Sequence, residues 1–128
     1  MIETTVKAWH DILESKNPRE LDNILSDDVV FYSPVVHTPQ EGKKITTLYL
    51  TAAFYVLVND KFHYVREVVS GTDAVFEFET EVDGIKINGV DMISWNSENK
   101  IFSFKVMLRP LKAINLIHKM MGEMLEKV

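Results

Sequence analysis

The sequence contains no cysteine, which excludes disulfides, thiol catalysis and thiolate metal sites together and fits a reducing compartment. Glycine (5) and proline (4) are scarce among 128 residues, so collagen-like and low-complexity compositions are excluded, and the length suits one domain spanning residues 1–128. Basic residues are outnumbered, 14 Lys and Arg against 19 Asp and Glu, and they form no cluster. With a formal net charge of -5 the chain has nothing to neutralise a phosphate backbone, and no nucleic-acid partner is expected. Apolar runs are short. The longest, Leu48 to Val58, is interrupted by Thr51 and falls well below the ~20 residues needed to cross a bilayer, so it reads as a buried helix and no membrane partner is expected. The start, Met1-Ile2-Glu3-Thr4-Thr5, shows no basic stretch leading into an apolar one, which sets the expectation of a cytoplasmic protein without a leader.

What is present is periodicity. Ile2, Val6, Trp9 and Leu13 recur at helical spacing until Asn17-Pro18 breaks the pattern. Asn17 suits the N-cap of a short second helix, Pro18 to Leu25, after which Asp27-Asp28 turns the chain into a strand from Val29 to Ser33. A loop with Pro34, Pro39 and Gly42 precedes a helix from Lys43 to Leu57 that is apolar nearly all round. From Asn59 the period changes to two. Phe62 to Val69, Ala74 to Val82, Ile85 to Trp95 and Ile101 to Leu108 read as four strands of an antiparallel meander, separated by turn residues such as Asp83-Gly84 and Asn96-Ser97-Glu98-Asn99. Alternation sets Phe76, Phe78 and Thr80 against Glu77, Glu79 and Glu81, and Phe102, Phe104, Val106 and Leu108 against Ser103, Lys105 and Met107. Pro110 opens a last helix with Leu111, Ile114, Ile117, Met121 and Leu125 as its stripe. The order of elements specifies an α+β fold with helices on one side of a curved sheet.

The run from Trp9 through Leu25-Ser26-Asp27-Asp28-Val29-Val30-Phe31-Tyr32-Ser33-Pro34, then Gly42-Lys43-Lys44-Ile45, resembles the first half of the nuclear transport factor 2-like superfamily. Gly89-Val90-Asp91-Met92-Ile93-Ser94-Trp95-Asn96 followed by Lys100-Ile101-Phe102-Ser103-Phe104 is similar to the paired final strands of SnoaL-like domains and ketosteroid isomerases, and Val106-Met107-Leu108-Arg109-Pro110-Leu111 resembles uncharacterised bacterial members. The resemblance implies a cone-shaped, cystatin-like α+β barrel, with the curved sheet wrapped around the N-terminal helices and a small, mostly apolar or aromatic ligand inside. It also implies a homodimer through the long strands. The fold hosts unrelated chemistries and non-catalytic binding alike, so it does not by itself assign an activity.

Asp91 is the first candidate catalytic residue. It shares a strand face with Ile87, Ile93 and Trp95, and desolvation there raises a carboxyl pKa; the resemblance to ketosteroid isomerases implies a carboxyl kept protonated and able to donate a hydrogen bond. The competing reading is a structural aspartate bonded to backbone or to Trp9. Ser33 stands where the isomerases keep an aspartate base before proline, and a lone serine hydroxyl abstracts no proton near neutral pH. Trp9 stands where they keep a helix-one tyrosine. His37, in the loop after the first strand, is the alternative base. Tyr32, Tyr49, Phe54 and Tyr55 are candidate ligand contacts beside Trp9 and Ser33. Phe78, Ile93, Trp95, Phe104 and Val106 are candidates from the sheet, with aromatic or aliphatic core as the competing role for each. The arginine and aspartate pair of the superfamily's epoxide hydrolases is missing, because Gly89 stands two positions before Asp91. Arg109 is expected on the acidic outer face. His10, His63 and His118 lack partners at ligand spacing, so neither metal nor cofactor is expected. Two functions stay open: an enzyme of proton transfer, dehydration or cyclisation, and a non-catalytic ligand-binding or dimeric interaction module. Two or more mutually hydrogen-bonded polar groups around an open cavity would favour the first.

Overall fold

In the computed structural model, which describes residues 2–126, the change of period at Asn59 separates the helical half from the sheet. Helix α1 (Ile2–Ser15) buries Thr5, Trp9 and Ile12 and packs Val6 and Leu13 beside them. The Ile2 side chain, assigned to this stripe from spacing, lies outside the described residues, as does Met1. The expected second helix is a single 3-10 segment, Pro18–Asn23, capped by the Asn17 side chain, which accepts from the Arg19 N–H.

Strand β1 (Leu25–Tyr32) begins four residues earlier than the alternation predicts. The Ile101 N–H donates to the Ile24 carbonyl at 2.7 Å, and Leu25 pairs with Ile101 before the register shifts between Leu25 and Val30. Asp27-Asp28 therefore forms an irregularity inside a strand and not the turn before one. A two-residue strand β2 (Gln40–Glu41), too short to have a period, pairs antiparallel with β1. Helix α2 (Lys43–Leu57) has the expected bounds. Gly42 precedes it at φ 106°, a conformation that favours glycine, and donates its N–H to the Val29 carbonyl at 2.7 Å.

Strands β3 (His63–Ser70), β4 (Asp73–Val82), β5 (Ile85–Trp95) and β6 (Ile101–Arg109) form the meander, and β6 then pairs in parallel with β1, giving the sheet order β2-β1-β6-β5-β4-β3. In β4 the alternation holds throughout: Ala74, Phe76, Phe78, Thr80 and Val82 are buried. In β6 it fails at Phe102, which is exposed. The β5–β6 register slips where Ser94 pairs with Ser103 while Trp95 pairs with Ile101; the extra residue is Phe102, and such a bulge turns one side chain outward.

Helix α3 (Leu111–Leu125) follows Pro110 and buries Ala113, Ile117 and Met121. Leu111, expected in that stripe, is exposed at the helix start. The core lies between the concave sheet face and the helices. Phe31, Phe76, Phe78 and Phe104 are almost fully buried there, each contributing roughly 1.5–3 kcal/mol of burial. Among the described residues no helix is long and apolar enough to cross a membrane.

Candidate functional site

Strand β5 carries one polar side chain on its buried face. Ile87, Ile93 and Trp95 are core residues of that face, and Asp91 among them is 6% exposed. Phe76 on β4 and Val106 on β6 are its register neighbours, so the sheet supplies only apolar flanks. The solvation comes from elsewhere. Tyr64, on β3, donates its hydroxyl to Asp91 Oδ2 at 2.7 Å, and the Trp9 indole Nε1–H, from α1, donates to the Tyr64 oxygen at 2.9 Å. These two bonds, of sequence separation 27 and 55 residues, join helix and sheet in one polar chain inside an apolar core. Asp91 Oδ1 has no protein partner among the described residues.

Burial is the main cause that lifts the Asp91 carboxyl from the ordinary 3.8 to about 7, and the Tyr64 hydrogen bond pulls in the opposite direction. Burial and the neighbouring Asp91 charge push the Tyr64 hydroxyl well above 10, so it keeps its proton and donates. The His10 ring packs edge-on against the Tyr64 ring, with centres 5.6 Å apart. His10 Nε2 is 2.6 Å from Glu67 Oε1.

A cavity of about 50 Å3 opens beside this chain, several times the ~10–15 Å3 that one water occupies by the same kind of measure. Asp91, Trp9, Phe78 and Phe104 form one part of its wall, and Phe54, Leu57, Ile117 and Met121 bring in α2 and α3. Ser33 and Val106 lie in the wall as well. Asp91 is the one group among these lining residues that ionises near neutral pH. The Ser33 hydroxyl accepts from the Val35 N–H at 3.1 Å, which fixes the loop after β1.

Of the candidates read from sequence, the fold therefore gathers Asp91, Trp9, Ser33, Phe54, Phe78, Phe104 and Val106 around one space. The others lie elsewhere. His37 and Tyr32 line a separate groove outside the cavity. Tyr49 packs on Phe31 with ring centres 5.6 Å apart. Tyr55 is 62% exposed, on the solvent side of α2. Ile93 and Trp95 are core, because the start of α1 covers that end of β5, with Thr5 Oγ1 donating to the Asn99 carbonyl at 3.2 Å. Gly89, where the epoxide hydrolases keep arginine, has no space even for a methyl group: a Cβ would lie 2.5 Å from Phe78 Cζ and 2.8 Å from the Met107 carbonyl oxygen.

Tyr64 is the residue that sequence reasoning missed. A signal existed, since Phe62 and Tyr64 alternate onto the concave face of a predicted strand, but a register shift between Tyr64 and Arg66 ends that alternation at once. Among the described residues no group of three or more His, Cys, Asp and Glu could hold a metal ion.

Comparison with known proteins agrees with this geometry. Residues 6–104 match the SnoaL-like domain family. A steroid delta-isomerase from Pseudomonas aeruginosa superposes with a TM-score of 0.93 at 30% identity, covering 98% of this chain and 92% of that one. A Silicibacter pomeroyi protein with a cystatin-like fold gives 0.86 at 24% identity, covering 93% and 83%. A Mesorhizobium loti protein described as nuclear transport factor 2-like gives 0.73 at 14% identity, covering 85% and 91%. No curated protein matches the sequence. The chain belongs to the SnoaL-like domain family, within the nuclear transport factor 2-like superfamily.

Proposed function

We propose that this protein encloses a small, mostly apolar molecule in the cone and offers the Asp91 carboxyl to that molecule's one polar atom. The observation that carries this reading is the Trp9–Tyr64–Asp91 chain, which ends at a single unpartnered carboxyl oxygen beside an apolar cavity. Since Oδ2 already accepts from Tyr64, the acid proton belongs on Oδ1, where it serves as donor to a ligand carbonyl or oxyanion. A carboxyl that titrates at about 7 is half in each form at neutral pH, which suits a group that both takes and returns a proton. The reactions open to it are proton transfer, acid-assisted dehydration and cyclisation.

A binding role without turnover is the second reading, favoured by two observations. The Ser33 hydroxyl is occupied by the Val35 N–H, and His37 lines the outer groove and not the cavity. Among the described residues that line the cavity, Asp91 is the one group that ionises near neutral pH. The activity named for the Pseudomonas protein is accordingly not expected here: the unmodified chain should not isomerise a β,γ-unsaturated ketosteroid measurably above buffer.

Homodimerisation through the outer sheet face belongs to the same proposal. Val68, Val75 and Met92 pair in register across β3, β4 and β5, and Val90 pairs with Met107 beside them. Val68, Val75 and Met107 are exposed on a face that otherwise carries Arg66, Glu77 and Lys105, an apolar strip of the kind that closes a two-fold interface.

Calorimetric titration with p-cresol tests the site. Binding to wild type, with Asp91→Asn weakened little and Asp91→Ala weakened about fivefold to tenfold, is the expected result, as one hydrogen bond is worth roughly 1 kcal/mol. Equal affinity for wild type and Asp91→Ala would overturn the role of the carboxyl.

A further inference from the structure

The cavity and the groove outside it share a wall: Ser33, Pro34 and Val106 line both. The groove exists because β1 stops pairing early. Its last partner in β6 is Tyr32 with Lys105, whereas β6 runs on to Arg109 and the chain after Tyr32 turns away through Pro34 and Pro39. The opening left along the β6 edge has a volume of about 550 Å3.

Its charge is of one sign. Lys105 and His37 line it and no carboxylate does, in a chain whose formal net charge is -5. Lys105 Nζ lies 4.9 Å from the centre of the Tyr32 ring, and among the described residues Lys105 takes part in no ion pair. At the closed end of the site the chemistry is opposite, because an ionised Asp91 repels an anion and a protonated one donates to a neutral acceptor atom. A ligand that uses both ends therefore has a defined orientation.

We propose that the ligand is amphipathic: an apolar body with at most one neutral polar atom lies in the cavity towards Asp91, and a carboxylate-class anion passes Ser33 and Pro34 to meet Lys105, with His37 as a second donor. This rests on the pocket reading above and adds the substrate class. Ser33 then has a role that requires no chemistry, holding the loop around which the ligand bends through its bond to the Val35 N–H.

The test uses the full chain, with 4-phenylbutyrate and its uncharged amide titrated by calorimetry at pH 7.5 against wild type, Lys105→Gln and Lys105→Arg. Wild type should bind the carboxylate about tenfold more tightly than the amide. Lys105→Gln should remove that preference and leave the amide within twofold, Lys105→Arg should retain it, and 0.5 M salt should reduce it by screening. Equal binding of carboxylate and amide by wild type, or equal weakening of both by Lys105→Gln, overturns the anion site while the pocket reading stands. If neither compound binds wild type at millimolar concentration, the pocket reading fails and this inference fails with it.

Discussion

Replacing Asp91 by asparagine should remove much of wild type's loss of stability between pH 4 and pH 8, so that the variant gains stability relative to wild type over that range. The folded carboxyl titrates at about 7 against an ordinary value of 3.8, so between those values the native chain holds a proton that the unfolded chain releases. A group whose folded-state pKa is raised leaves stability at its greatest below the unfolded value; stability then declines as pH rises towards the folded value and stays lower above it. Each unit is worth about 1.4 kcal/mol, and the interval of about three units corresponds to about 4 kcal/mol, a large part of the roughly 5–15 kcal/mol typical of a domain. Asparagine keeps the shape and an acceptor for Tyr64 but has no proton to lose. Whatever fixed offset its amide adds is common to both pH values, so the readout is the difference between them. Urea unfolding of both proteins at pH 4 and pH 8 measures it. The stability of Asp91→Asn relative to wild type should rise by about 4 kcal/mol from pH 4 to pH 8. A relative stability that falls over that range would mean that Asp91 is ionised and paired in the native state, and the donor on Oδ1 would not exist.

Tyr64→Phe removes the hydrogen bond that lowers the Asp91 pKa and strands the Trp9 N–H, so the Asp91 carboxyl should titrate above 7 in a carbon-13 NMR titration, with a stability loss of about 1–3 kcal/mol; a downward shift would contradict the assigned direction of that bond. Gly89→Ala forces a methyl against Phe78, Leu108 and the Met107 carbonyl and should cost about 1–3 kcal/mol in chemical denaturation, whereas an unchanged midpoint would mean that β6 and Phe78 yield freely. The outer-face dimer should appear in sedimentation velocity at micromolar concentration and be lost on Val75→Lys with Met107→Lys; a wild-type monomer over a hundredfold dilution refutes it.

How far the fold was legible in the sequence follows from how local each signal is. The bounds of α2 and β5 could be read because Gly42 and Asp83-Gly84 mark their ends and the periods between are unbroken. Phe102 was assigned to the wrong face because its bulge depends on how β5 and β6 pair, which one strand's alternation does not encode. The parallel pairing of β1 with β6 joins segments about seventy residues apart and leaves no local trace. Asp91 was legible as a carboxyl interrupting an apolar face. Its partner was not, because Tyr64 suits any strand and acquires its role only when the sheet curls β3 towards α1, bringing Trp9 within 2.9 Å. That His37 and Tyr55 lie outside the cavity was not legible for the complementary reason: loop position and helix composition say little about which side of a wall a residue occupies.

The central claim is that the cone holds a small ligand against Asp91, and isotope-edited nuclear Overhauser spectroscopy with carbon-13-labelled protein and unlabelled p-cresol tests it most directly. The account predicts contacts from the cresol ring to Phe78, Phe104 and Val106 of the cavity wall, lost in a variant that fills the cavity, Val106→Trp. Contacts confined to the exposed Val75, Phe102 or Met107 side chains would contradict it.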